Sequence, residues 1–444
     1  MSMLNSSADL KQHPLLDGGA SPARAVGCYA FVSILVLLPF GRSSEAGVLL
    51  LLVLGGWLLI MRAPIARSDV TRLLLALFAC WWLPQLISAF DAVAPAKTWP
   101  ALGVALRLLP AAIVAAWALG DADWRDRVAL VIAAIVAIWT LDALVQGVVG
   151  VGLRGRMGGD RVSGIFGDSN LKLGPILAVL TPWPLHVALE RWGRRAAVIV
   201  WILTAVAVLL AGTRGGWVAF ALVSVAFAWR LAPRKRDLGW VAAALLVALV
   251  VFGAIAMRTS PLFAERIDRT LRAVDGNSDD YDYALAGRLP IWRNAVAMSL
   301  DHPVNGVGMR GFRFAYPDYA PPDDPWLDAA GTQGANHPHQ LVLETAAETG
   351  AIGLTGWLLM VVLAWRAWRR APAVAKLAAW PAAVALVAMC WPFNTHFAFY
   401  SSFWGLLSWW LVAYFAAAVA QQSPPIPVPE SAPLDSNDPL VDGA

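Results

Sequence analysis

The sequence predicts an all-α polytopic membrane protein of about 12 transmembrane helices, with one large loop outside the bilayer between late spans. Three observations predict it. Hydrophobic residues make up 59% of the chain and charged residues only 14%, at a mean hydropathy of +0.60. Apolar runs of roughly 17 to 25 residues recur, the length that crosses a hydrocarbon core as a helix. The 23 tryptophans gather near the ends of these runs, as aromatic side chains do at membrane interfaces.

The runs fall at 26–40, 45–61, 71–90, 100–118, 127–147, 170–189, 195–212, 215–231 and 239–257, then at 350–367, 376–394 and 399–420. Residues 1–25 form a polar N-terminal segment without the short apolar core of a cleaved signal peptide. The nine spans within 26–257 are followed by a loop at 258–349, the last three spans within 350–420, and a tail at 421–444. That tail is rich in Pro, Ser and Asp and reads as disordered. The short basic loops "MRAPIARSDVTR", "DWRDR", "ERWGRR", "RLAPRKRD" and "RAWRRAPAVAK" all lie on the side of the N-terminus. Positive loops stay inside, so both termini are expected in the cytoplasm. The long loop then lies outside, and long loops cross regardless of charge.

Several function classes drop out. Cys28, Cys80 and Cys390 each sit in an apolar run and read as small core residues rather than as a disulfide or metal framework. No metal site and no cofactor is expected. The net charge of +4 is accounted for by topology, so no nucleic acid is implied. There is no GxxxxGK[ST] loop and no GxGxxG after a strand, which argues against an ATP-driven pump. No strong internal repeat is visible, which disfavours an inverted-repeat transporter. Ionisable residues concentrate at the outer face, with Arg107 and Asp142 as exceptions within spans.

The polar residues that could carry chemistry lie around the long loop. In "GANHPHQLVLETAAETGAIG", residues 334–353, Pro338 suits the first helical position, with Asn336 or His337 as N-cap. Gly350 suits the residue just past the helix end, so 338–349 reads as a short helix with Glu344 and Glu348 on one face. His339 would then sit in the first turn. The positive end of the helix dipole would keep its ring neutral and available as a base. The alternative is that His337 and His339 simply bond the loop backbone. Arg214 in "LAGTRGGWVAF" and Arg288 in "ALAGRLPIWRNAV" have small neighbours that would let an anion approach. The alternatives are headgroup snorkelling for Arg214 and an ion pair with the "DDYDY" carboxylates for Arg288. Arg161 and Lys172 flank "FGDSN" and either add charge or, more simply, anchor at the interface. Arg310 and Arg313 lie in "GVGMRGFRF". Gly306, Gly308 and Gly311 could form an anion-binding nest or merely end a helix in a tight turn. His186, His302 and His396 have no local constellation and read as structural. A base and fixed cations, without a nucleotide site, suit transfer from a lipid-linked diphosphate: arginines would stabilise the leaving group and a histidine would take the proton.

These blocks resemble the O-antigen ligase/polymerase superfamily. "HQLVLETAAETGAIG" is similar to the ligase signature of His, then Asn, Ser or Gln, nine residues, Gly, two residues, then Gly, Thr or Tyr, here His339, Gln340, Gly350 and Gly353. Glu348 and Gly350 match its Glu-x-Gly. "GDSNLKLGPILA", "AGTRGGW", "GRLPIW" and "HPVNGVG" look like its other blocks. The resemblance implies a metal-independent inverting glycosyltransferase of the bacterial inner membrane with a periplasmic active site. It would move O-antigen polysaccharide from undecaprenyl diphosphate to lipid A–core lipopolysaccharide. Its catalytic residues would be His339, Arg288 and Arg214. The nine-residue spacing selects His339 over His337. His337, Arg161, Lys172 and Arg310 are the candidates for binding substrate. Membrane lipids are its surroundings, and the oligomeric state stays open. An O-antigen polymerase or a protein O-oligosaccharyltransferase would use the same donor chemistry. A lipid-linked glycan transporter is the alternative of a different class.

Overall fold

In the computed structural model, residues 21–63, 68–158, 161–168, 170–232, 234–259 and 287–420 are described. The expected N-terminal segment up to residue 20, the acidic run "DGNSDDYDY" and the tail at 421–444 lie outside the described residues. Polar caps start the helices where apolar runs begin. Ser21 opens α1 (Pro22–Leu37) by accepting from the Arg24 N–H, and Ser68 opens α3 (Asp69–Ala89) by accepting from Thr71. Between them, α2 spans Glu45–Ile60. Then follow α4 (Pro95–Ala105), α5 (Leu108–Ala118) and α6 (Ala122–Val149), the last capped by Asp121 and ended by Gly150 in the left-handed region. A two-residue hairpin, β1 (Val151–Gly152) with β2 (Gly155–Arg156), interrupts an otherwise helical fold.

The second half holds α7 (Leu173–Leu180), α8 (Pro182–Leu210), α9 (Arg214–Leu231) and α10 (Leu238–Thr259). After these come α11 (Leu289–Asp301), the single turn α12 (Phe312–Ala315), α13 (Leu341–Arg370), α14 (Ala373–Met389) and α15 (Ser402–Val419). Among the described residues, 7 helical segments are long and apolar enough to cross a bilayer, and α14 is a shorter apolar helix. The number falls below the expected 12 because two predicted pairs of spans merge into Pro22–Ile60 and Leu173–Leu210, and α9, α10 and α14 are not among the 7 segments. The chain bends within these segments at glycines in the left-handed region: Gly41 (φ 69), Gly193 (φ 82) and Gly350 (φ 61). The predicted span at 376–394 is also too long. Its helix stops at Met389, and residues 390–401 form an irregular loop before α15.

α15 is the hub, with 83% of its apolar window buried against 33–50% for the other long segments. Trp410 stacks on Phe31 of α1 at 4.5 Å, and Tyr414 meets Trp183 of α8 edge-on at 5.4 Å. The outer helices leave side chains such as Val53, Leu59 and Val225 exposed, which suits a lipid solvent. The two charged exceptions within spans have structural partners. Arg107 makes a two-pronged ion pair with Glu45, and Asp142 accepts from the Leu153 N–H at 2.6 Å, tying the hairpin to α6.

Residues 287–340 fold into a cap over its own small core of Ile291, Met298, Val307, Phe312 and Tyr316, joined by Ala347 of α13. The break at Gly350 releases carbonyls of the preceding helical turn, and the cap takes them up. Val307 N–H donates to Ala347 O at 2.8 Å and Gly308 N–H to Glu348 O at 3.1 Å. Ser88 of α3 donates to the same Glu348 carbonyl at 2.6 Å. Gly306 has φ 68, and a Cβ there would lie 2.4 Å from the Glu348 carbonyl carbon. Gly306→Ala should therefore unseat the cap, costing about 2 kcal/mol or more from backbone strain and overpacking. A lowered thermal midpoint in detergent checks this.

Candidate functional site

The helix that carries the histidine motif starts later than its sequence suggests. α13 begins at Leu341, with Gln340 rather than Asn336 or His337 as N-cap, because the Gln340 side chain accepts from the Leu343 N–H. His339 is therefore not in the first turn, and Pro338 is not at the first helical position. His339 instead adopts φ 53, a left-handed conformation rare for a residue with a side chain. Such a conformation costs of order 1–3 kcal/mol and persists only where its surroundings impose it. Here the His339 N–H donates to Nδ1 of His337 at 3.1 Å, and the two rings lie 3.9 Å apart. A ring nitrogen that accepts carries no proton, so the proton of neutral His337 sits on Nε2. Trp292 of α11 donates to Pro338 O at 2.9 Å, and Gln340 Nε2 to Pro392 O at 3.0 Å. The doublet is thus tied to the cap on one side and to the 390–401 loop on the other.

That loop brings in a third imidazole, His396, which had read as structural. Asn394 shapes it: its side-chain oxygen accepts from His396 N–H (2.8 Å) and Phe397 N–H (3.0 Å), while its amide donates to Met389 O. The buried carboxylate of Glu344 accepts from Phe399 and Tyr400 N–H at 3.0 and 3.2 Å. Glu344 and Glu348 thus hold backbone, Glu348 by accepting from the Arg310 N–H at 2.8 Å. His337, His339 and His396 line one open cleft of about 440 Å³ with Asp168, Asn170, Lys172 and Trp404.

Its electrostatics are dominated by positive charge. Burial, then the charges of His337, Arg288 and His396, hold His339 down to about 2. Burial, Arg288 and Arg310 hold His337 to about 4, and burial, Arg288, His337 and Lys172 hold His396 to about 3. Burial and then Arg214 lower Arg288, which stays charged. Lys172 is lowered by burial, and its ammonium sits 4.0 Å from the ring of Phe403. All three imidazoles are neutral at neutral pH. Because their folded values lie below the ordinary 6.5, the unfolded chain binds more protons in acid. The stability they contribute is fully present above pH 6.5 and is lost as pH falls through about 4 and below. The thermal midpoint should drop from pH 7 to pH 4, and His337→Asn should flatten that slope.

Of the predicted site residues, three line the cleft: His337, His339 and Lys172. Arg214 is the first residue of α9 and Arg288 the N-cap of α11; neither lines the cleft, but the charge of Arg288 acts on its imidazoles and that of Arg214 acts on Arg288. The glycines beside Arg214 pack backbone closely rather than opening a path for an anion. A Cβ at Gly215 would lie 2.8 Å from His396 Cβ, and one at Gly216 would lie 3.0 Å from the backbone of Gly174 and Pro175. The carboxylates proposed as partners of Arg288 lie outside the described residues. Lys172 lines the cleft and Arg161 is not among its lining residues. Arg310 faces a second cleft, though its charge acts on His337. Gly306 and Gly308 form no anion nest, since the amides around them donate to the carbonyls of α13 and His302. Among the described residues, no group of three or more His, Cys, Asp or Glu is placed to hold a metal ion. His396 was missed because Asn394 brings it to the cleft from a loop with no motif around it.

The protein is thus a helical, multi-pass membrane protein with a polar cleft of neutral imidazoles and one lysine, on which the charge of a nearby guanidinium acts. Residues 199–358 match the family described as O-antigen ligase, a stretch that contains Arg214, Arg288, Arg310, His337 and His339. This match supports membership of the O-antigen ligase/polymerase superfamily. No curated protein matches it.

Proposed function

We propose that the chain is an O-antigen ligase, an inverting glycosyltransferase that moves O-antigen polysaccharide from undecaprenyl diphosphate to a sugar hydroxyl of lipid A–core. The observation that carries this is the single cleft holding His339 with Lys172 and two further imidazoles, with the charge of Arg288 acting on all three rings. The acceptor oxygen attacks the anomeric carbon as His339 takes its proton, and the bond from that carbon to the diphosphate oxygen breaks. Arg288 and Arg214 meet the charge that develops on the departing diphosphate. His337 and Lys172 are substrate-binding groups. The reaction needs no nucleotide, because the lipid diphosphate is already activated.

An empty cleft would make His339 a poor base, since burial and then nearby positive charge disfavour its protonated form. The diphosphate changes that: its negative charges favour imidazolium and bring His339 up toward neutrality. The substrate thus creates the base it needs. The cleft would open on the periplasmic face of the inner membrane with both termini cytoplasmic. A twelve-span path is supported by the bends at Gly41 and Gly193, each between two predicted spans. Donor binding should take up protons from solution. Calorimetry of undecaprenyl diphosphate binding in two buffers of different ionisation enthalpy measures this. Uptake in the wild type that is lost in His339→Asn is expected, and binding without uptake would count against the mechanism.

A further inference from the structure

A second cleft, of about 310 Å³, opens between the cap, α3–α5 and the start of α15. Lys97, Arg107, Arg310 and Arg313 all line it, and none of its lining residues is acidic. Glu45 pairs with Arg107, which leaves three cations on the cleft beyond that pair. Arg313 is held in place by Gln333 and lies 5.0 Å from the ring of Phe314. Ser401 and Ser402 also line the cleft, so the positive end of the 18-residue α15 adds to its potential.

The membrane side of this cleft is apolar. Val104, one of its walls, is 51% exposed, and Trp99 on the same helix, 42% exposed, pairs edge-on with Phe90, 76% exposed. Cations bordered by an open apolar face suit an anion carried on a lipid, with the headgroup on the charges and the chains along the helices. The cleft also shares a wall with the histidine cleft. Tyr400, Ser401 and Ser402 face one, while His396 and Trp404 face the other.

We propose that this cleft binds a phosphate carried on the acceptor glycolipid, seating its chains along α4 and α5 and presenting its sugar to the histidine cleft across the shared wall. The inference rests on the ligase reading. Lys97 and Arg313 are its specificity groups, remote from the imidazoles, so their loss should act on the acceptor alone.

The test is a kinetic comparison in nanodiscs of wild type, Lys97→Gln/Arg313→Gln and the charge-keeping Lys97→Arg/Arg313→Lys, with intact or chemically dephosphorylated acceptor. The neutral double variant should raise KM for the intact acceptor about tenfold or more, the effect of losing hydrogen bonds to a charged group. Its kcat and donor KM should stay unchanged, the charge-keeping variant should recover the acceptor KM, and all three proteins should match on dephosphorylated acceptor. An unchanged acceptor KM overturns the proposal. So does a defect that persists without the acceptor phosphate, or one that follows the phosphatidylglycerol content of the nanodisc. Binding of labelled, phosphorylated glycolipid, measured without donor, separates this proposal from the ligase reading. Wild-type binding weakened in the neutral variant supports the site even where no transfer occurs, and equal binding by both proteins overturns it.

Discussion

His339→Ala should leave the protein folded in its membrane and lower glycan transfer by about 10²–10⁴-fold, the contribution of a positioned general base. Its Nδ1 is buried without a hydrogen-bond partner, so the cleft spends little on stabilising this ring. The left-handed backbone at His339 points the same way. Relieving it stabilises rather than unfolds, and His339→Gly should melt no lower than wild type while being as inactive as His339→Ala. His337→Ala should do less, because His337 holds the His339 backbone through the 3.1 Å hydrogen bond. Transfer assays with circular dichroism melts on the same preparations check all three.

Arg288→Lys should cost about 10²–10³-fold in kcat, the scale of removing one donor aimed at developing charge. Lysine keeps the charge but not the two-pronged geometry that fits a phosphate. Arg288→Gln should do more, and it should change the pH profile in a defined direction. Arg288 lowers His337, His339 and His396. Removing its charge lets those rings rise, so the acid limb of kcat/KM should move to higher pH. A loss of rate with no shift in that limb would mean that Arg288 does not face the imidazoles. Arg214→Gln should show the same loss of kcat with a smaller shift, since its charge acts on Arg288 rather than being a leading influence on the rings.

The fold class was legible because lipid-facing and buried helices are both apolar, which writes membrane spans plainly into composition. The short helix ending at Gly350 was legible for a local reason too, as a glycine after an apolar turn. What failed was the start of that helix. Pro338 had a good fit to the first helical position, but Gln340 can cap from its own side chain and also bind the Pro392 carbonyl, and that tertiary contact decided the matter. The neutral state of His339 was right for the wrong cause, since burial and neighbouring charges act where a helix dipole had been invoked. His396 was invisible because its neighbours come from distant segments. Arg107 had read only as an exception within a span, and the packing of α4 and α5 beneath the cap is what sets it beside Lys97 in one wall.

The histidine cleft should join a lipid-diphosphate glycan to lipid A–core. The most direct measurement places purified protein in detergent with EDTA, undecaprenyl-diphosphate-linked glycan and lipid A–core lipopolysaccharide, and follows the core band on a gel. A core band shifted upward by the wild type, and unshifted by His339→Ala, is the predicted result. A bare core beside a lengthened donor glycan would contradict it and make the protein a polymerase using the same site, while no change in either would remove transfer from the account altogether.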